Sequence, residues 1–165
     1  YINIEQNNTG RAAATRIALP EIEREQIELN LNLGSADLGT LKAKSIQADL
    51  ALGSLYADEL QTGQLDATLA LGSAELGTVQ AERVTIENAQ GDVTISHLVG
   101  ASQVQVTDQL GNIALTGYSV QAACGLGSIT VSGAKQASPY SANSKAANAV
   151  ILDAALGNIT LNFEE

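Results

Sequence analysis

A chain of 165 residues that is 45% apolar suits one domain with a continuous core, but with only 3% aromatic residues and no Trp or Met, Leu, Ile, Val and Ala must fill that core. The formal charge of −10, eight Lys and Arg against eighteen Asp and Glu, argues against binding nucleic acid or anionic lipid through a basic surface. Cys124 is the only cysteine, which excludes an intramolecular disulfide, and no stretch reaches the roughly 18 apolar residues of a membrane span or shows a signal-peptide pattern.

The chain opens at Tyr1 without an initiating Met, which reads as an excised or processed piece. Residues 1–26 contain Pro20 and the charged run EIERE and read as the entry and cap of the domain.

A repeat then sets in. LNLGSADLGTLKA (31–43), LALGSLYADELQT (50–62) and LALGSAELGTVQA (69–81) follow one another at a step of nineteen. In the same register, Gly34, Gly53, Gly72, Gly91 and Gly111 are spaced nineteen, nineteen, nineteen and twenty apart, and Gly127 and Gly157 follow at sixteen and thirty. The residue after each is Ser35, Ser54, Ser73, Asp92, Asn112, Ser128 or Asn158, so seven small polar steps mark seven turns. IELNLNL, IQADLAL and LDATLAL before the glycine, and VTI, IAL, ITV and ITL after it, alternate with period two and predict short strands with one buried face.

A unit of nineteen residues cannot close its own core and must stack on its neighbours. The spacing predicts an all-β fold, a right-handed parallel β-helix (β-solenoid) of about seven rungs, its hand following the crossover preference of parallel strands. Three inward columns are expected: Ile27, Ile46, Leu65, Val84 and Val104; Leu38, Ala57, Leu76, Ile95 and Leu115; Leu41, Leu60, Val79 and Leu98. Two outward columns, Glu28, Gln47, Asp66, Thr85 and Asp37, Tyr56, Glu75, Thr94, dilute acids with neutral residues, as parallel stacking of like charges requires. An antiparallel sandwich with hairpins at the glycines is the competing architecture. In this reading residues 1–165 form a single domain, with regular rungs over 27–129, a loop insertion over 130–149 and a closing rung over 150–165, against which Phe163 packs.

Chemistry is harder to find. His97, the only histidine, falls in the column Thr40, Glu59, Thr78, His97, a surface strip, and nothing in the register pairs it with Cys124, which reads as a small buried hydrophobe. Asp37, Asp58, Glu59, Asp66 and Glu75 raise the idea of glycoside hydrolysis or calcium, but they are interspersed with Gln and Thr rather than gathered. The turn LGS matches neither a phosphate loop nor a calcium-binding glycine-pair repeat, and a nineteen-residue step does not fit hexapeptide acyltransferases. No catalytic residue, cofactor or metal is expected.

RIALPEIEREQIELNLNLGSADL, with its LP-containing strand before the first strand–Gly–strand unit, resembles the entry to the adhesin-labelled β-solenoid domains of bacterial surface proteins. QGDVTI, LGNIALTG and CGLGSITVSG are similar to that family's rungs, and ILDAALGNITLNF to its closing one. The resemblance covers nearly the whole chain. It implies an extracytoplasmic or envelope-associated module, with relatives in Lia-type envelope-stress systems, and carries no catalytic set.

The expected function is therefore a non-enzymatic structural or binding module of the bacterial cell surface, with a protein, peptide or glycan partner at the envelope. A self-assembling scaffold resembling bactofilins, an envelope-stress sensing module and a polysaccharide lyase or hydrolase are the alternatives. Candidate contact residues are Lys135, Tyr140 and Lys145 in the insertion, where a loop breaks a regular repeat, followed by Tyr56 and Tyr118.

Overall fold

The computed structural model describes residues 1–6, 15–16, 24–100, 103–116, 120–132, 134–136, 138–142 and 149–162. Its strands are β1 (Ile2–Gln6), β2 (Thr15–Arg16), β3 (Arg24–Leu31), β4 (Ala36–Asp37), β5 (Thr40–Leu52), β6 (Leu55–Leu71), β7 (Ala74–Gln90), β8 (Val93–Val99), β9 (Gln103–Leu110), β10 (Ile113–Thr116), β11 (Val120–Val131), β12 (Ala134–Gln136), β13 (Tyr140–Ala142) and β14 (Ala149–Asn162). All join one sheet, coiled so that each turn stacks on the last. The turns pair in parallel, at a step of nineteen between β5, β6 and β7, so the glycines are corners of a β-solenoid rather than hairpin turns.

Why the coil bends where it does is visible in the alternation along β6. Leu55 and Ala57 are buried, Asp58 and Glu59 are both exposed, Leu60 and Thr62 are buried, Gly63 and Gln64 are not, and Leu65, Ala67 and Leu69 are buried again before Ala70 and Leu71 turn outward. A straight strand keeps strict period two, so each pair of adjacent outward residues marks a place where the chain changes face. Three such slips per turn make a three-sided coil with seven inward residues. The three expected columns are the resulting ladders, and each fully buried Leu or Ile within them contributes about 1.5–3 kcal/mol. At the third corner the buried Thr62 satisfies its hydroxyl by donating to the Gln64 carbonyl at 2.9 Å.

The glycine corner admits no side chain. Gly72 has φ +151°, and a Cβ there would overlap the carbonyl oxygen of Gly53 in the turn before it. The small polar residue that follows each glycine bonds upward: Ser54 N donates to Ser35 Oγ at 3.1 Å, Ser73 N to Ser54 Oγ at 3.1 Å and Asp92 N to Ser73 Oγ at 3.2 Å. Asn112 N then donates to Asp92 Oδ1 at 2.8 Å, Asn158 N to Asn112 Oδ1 at 3.0 Å and Ser128 N to Asn158 Oδ1 at 3.1 Å. Backbone donors that the corner turns away from the strand ladder thus find side-chain oxygens, which gives the Ser, Asp and Asn found at this position a shared role.

That ladder also shows a departure from chain order. Five turns run in sequence, but the next level is β14, which pairs with β9 and β10 on one side and with β11 on the other. Residues 120–131 climb one level past a vacant slot, and 149–162 return to fill it. The stretch expected to close the stack is therefore its penultimate glycine level, and the glycines stack as Gly34, Gly53, Gly72, Gly91, Gly111, Gly157, Gly127.

Both ends depart from the expected boundaries too. The entry segment adds a level of its own: β1 pairs with β3 and β2 with β4, and Ile2 and Ile4 half-bury against the core. The 130–149 stretch is more than a loop, because β12 and β13 lie antiparallel along the outer edge of β11 and cap it. Pro20 and Phe163 lie outside the described residues.

Candidate functional site

Among the described residues, shallow grooves run along the corners of the coil. The first, about 390 Å³, surrounds Tyr56 at the corner between the second and third faces. Its outward column is Asp37, Tyr56, Glu75, Thr94, and the chain turns there because the amides of Asp58 and Glu59 both donate to the Gly39 carbonyl, at 2.9 and 3.2 Å. One turn further on, Gly77 occupies the corner, where a Cβ would overlap the Asp58 carbonyl oxygen. The groove beside the Tyr56 ring has Asp58, Glu75, Thr94 and Ser96 on its walls, and Gly77 lies at its edge with its Cβ direction filled by the Asp58 carbonyl. Tyr56 is 38% exposed, enough to offer one face of the ring to a ligand.

The second groove, about 500 Å³, lies at the third corner between Lys42, Lys44, Gln61, Gln80 and Glu82, over a floor that includes Gly63 and Gly100. Gln61 donates to Gln80 across one turn at 3.0 Å, and Lys44 pairs with Glu25 at 2.6 Å. Both partners of that ion pair are more than half exposed, so it orders the rim and adds little stability.

Of the residues expected at a partner surface, the described ones, Tyr56, Lys135 and Tyr140, lie on different strands and are not gathered into one site. Lys135 is exposed on β12, opposite Thr130. Tyr140, expected as a contact residue, is half-buried against the hydrophobic core from β13, where it serves the cap. Five levels, about 24 Å at the spacing of strands, separate Tyr56 from Thr130. Tyr118 and Lys145 lie outside the described residues, as does the side chain of Cys124. His97 is exposed beside Thr78, while Cys124 stands opposite Ala154 on a different face, so the register gives them no common site.

One polar pair the sequence reading missed is internal. Asn88 and Asp108 occupy the inward column that starts with Leu31, Leu50 and Leu69, and they are 3% and 0% exposed. Extending that column by two steps would have revealed them. Burial pushes the Asp108 carboxyl up to about 6, against the Leu110 amide that donates to Oδ1 at 3.1 Å and with the charge of Asp92 adding to the rise. Sealed inside, the pair has no route to a substrate.

Among the described residues no three His, Cys, Asp or Glu side chains gather as a metal-binding group, and no helix is long and apolar enough to cross a membrane. A family model described as Toastrack DUF4097 matches residues 2–163. The chain belongs to the Toastrack DUF4097 family. Neither the curated proteins nor the solved structures gave a match. The Toastrack match spans the entry level, the five sequential turns and the out-of-order β14, so the whole coil is the family's domain. The family is one of unknown function, and its membership fixes the fold of this Toastrack domain rather than its ligand.

Proposed function

We propose that this Toastrack domain is a non-enzymatic binding module of the bacterial cell envelope, adhesin-like, whose Tyr56 groove takes a glycan segment rich in hydroxyl and amino groups. The observation that carries the reading is the groove that gathers an exposed aromatic ring, Tyr56, with two carboxylates, Asp58 and Glu75. An aromatic face packs against the apolar side of a sugar ring, while Asp58 and Glu75 accept hydrogen bonds from hydroxyls or amines at its edge. The acidic surface of the chain draws the same ligands in and repels anionic polymers. The envelope location and the adhesin-like role rest on the resemblance of the sequence to surface domains. A stress-sensing module would read an envelope glycan through the same groove.

Titration of the ¹⁵N-labelled domain with amino-sugar and neutral envelope oligosaccharides tests this. Shifts clustered on Tyr56, Gly77 and Ser96, abolished in Tyr56→Ala and retained in Tyr56→Phe, are expected. Saturating shifts confined to the Lys42 and Gln61 groove would move the site, and none with any sugar at millimolar concentration would end the glycan reading.

The scaffold reading is weaker. End-to-end filaments need two open strand edges, and at the β11 end β12 and β13 already occupy the edge in antiparallel pairing.

A further inference from the structure

The corner that precedes the glycine column carries an apolar ridge. In stack order its residues are Leu33, Leu52, Leu71, Gln90, Leu110, Leu156 and Leu126. Leu33 is half-buried, and Leu52, Leu71, Leu110, Leu156 and Leu126 are between 42% and 70% exposed. Beside them runs a second column, Asn32, Ala51, Ala70, Ala89, Gln109, Ala155 and Gly125, small or neutral at every level. On a protein of net charge −10 this strip carries no charge over its seven described levels, six steps or about 29 Å. Stacked leucines facing outward are not needed to hold the coil, whose core is complete beneath them.

The order of the ridge reads the same in both directions: three leucines, Gln90, three leucines. We infer that the ridge is a face for a second copy of this chain, laid against it in reverse about a two-fold axis through Gln90. Reversal puts Leu33 on Leu126, Leu52 on Leu156, Leu71 on Leu110 and Gln90 on itself. A partner in the same direction would match any sequence of side chains with itself, so only the reversed pair makes use of the symmetry. Two Gln90 amides meeting at the axis exchange hydrogen bonds, whereas a slip by one level buries each amide against leucine. A single polar residue in an apolar seam sets the register of coiled coils by the same penalty. The Ala column lets the two backbones approach.

The strip covers on the order of 350 Å² per copy, well below the roughly 800 Å² of a standard interface, so the pair is weak and concentration-dependent. Asp49, Glu87 and Asp153, which flank the strip in the column two residues before the small one, repel their counterparts in the partner. Added salt screens that repulsion and leaves the leucine contacts intact, so pairing tightens as ionic strength rises, opposite to an interface built on ion pairs.

Sedimentation of the domain from micromolar to millimolar concentration, at low and high salt, tests the pairing, and cysteine cross-linking in a Cys124→Ala background tests its direction. The expected result is a monomer–dimer equilibrium favoured by salt and weakened about tenfold or more by Leu71→Asp, a change outside the core. Gln90→Cys should link to itself readily. Leu52→Cys alone should not, because reversal holds the two copies of residue 52 four levels apart, about 19 Å. Self-linking of both variants would overturn the reversed arrangement. A domain that stays monomeric throughout, or links no faster through Gln90→Cys than through an exposed control such as Gln47→Cys, would overturn the interface itself.

Discussion

Asn88 lies directly beneath Asp108 in the ladder between β7 and β9, and three side-chain atoms of the pair, both on the Asn88 amide and Oδ2 of Asp108, are buried without a hydrogen-bond partner. Two polar residues end a run of leucines, and one of them carries a charge at neutral pH. The folded protein holds the Asp108 proton more tightly than the unfolded chain, about 6 against an ordinary aspartate near 3.8. Folding therefore takes up a proton between about pH 4 and 6, and the contribution of Asp108 to stability improves as pH falls through that window. Above pH 6 the buried anion is a steady penalty, on the order of 3 kcal/mol.

Asp108→Asn should raise the melting temperature at pH 7 to 8 and leave it nearly unchanged at pH 4. The difference between variant and wild type, followed by thermal melts across that range, isolates this group from the other carboxylates. A variant less stable than wild type at pH 8 would mean that the carboxylate has a partner in solution.

Neighbouring leucines on β6 should behave in opposite ways. Leu69 is 1% exposed and points into the core, so Leu69→Asp should unfold the stack, a loss of about 4 kcal/mol or more, as should Leu50→Asp one turn earlier. Leu71, two residues along, faces outward, and Leu71→Asp should melt within about 0.5 kcal/mol of wild type. Circular dichroism on the three variants decides it: cooperative melting of Leu69→Asp at the wild-type temperature contradicts the column assignment.

Two glycines of positive φ should differ in cost. Gly72→Ala meets both the strained φ and the Gly53 carbonyl, whereas Gly100, at φ +70°, has open space where a Cβ would stand. Gly100→Ala should cost about 1 kcal/mol and Gly72→Ala clearly more, read as the shift in urea midpoint.

The polar ladder predicts a charge effect. Asn112 donates from Nδ2 to Asp92 at 2.9 Å and accepts from Asn158 Nδ2 at 3.1 Å. Asn112→Asp replaces that donor with a second carboxylate beside Asp92, so it should destabilise by about 1–3 kcal/mol at pH 7, and added salt should recover part of the loss by screening the repulsion. Urea unfolding at low and high salt measures the recovery.

How far the sequence carried depended on which forces leave a periodic trace. The columns from Ile27, Leu38 and Leu41 were legible because burial repeats every two residues along a strand and every nineteen along the chain. The placement of β14 was not, because LGSITV on β11 and LGNITL on β14 present the same corner and the same ladder chemistry, and local pattern is blind to which lies above the other. Tyr140 illustrates a different limit: an aromatic in an irregular stretch suits a ligand surface or an end of the core equally well, and the antiparallel return of β13, which half-buries it against the core, leaves no periodic trace. Tyr56 was expected on the surface, because its column could be counted, and is exposed, yet the groove that joins it to Asp58, Thr94 and Ser96 is visible only once the turns are stacked. The leucine ridge was in the letters throughout, but outward leucines look like core leucines until the corner is located.

The interleaving of β11 and β14 divides the molecule into parts with different freedom to vary. Between Gly34 and Gly111 a nineteen-residue unit can be duplicated or lost and each remaining turn still finds an equivalent neighbour, so the length of the coil is adjustable there like a ruler cut to measure. From Val120 onward a layer cannot be copied alone, because β11 rests on β14, which arrives later in the chain. Descendants of such a sequence would differ in reach while sharing one terminus, inherited whole.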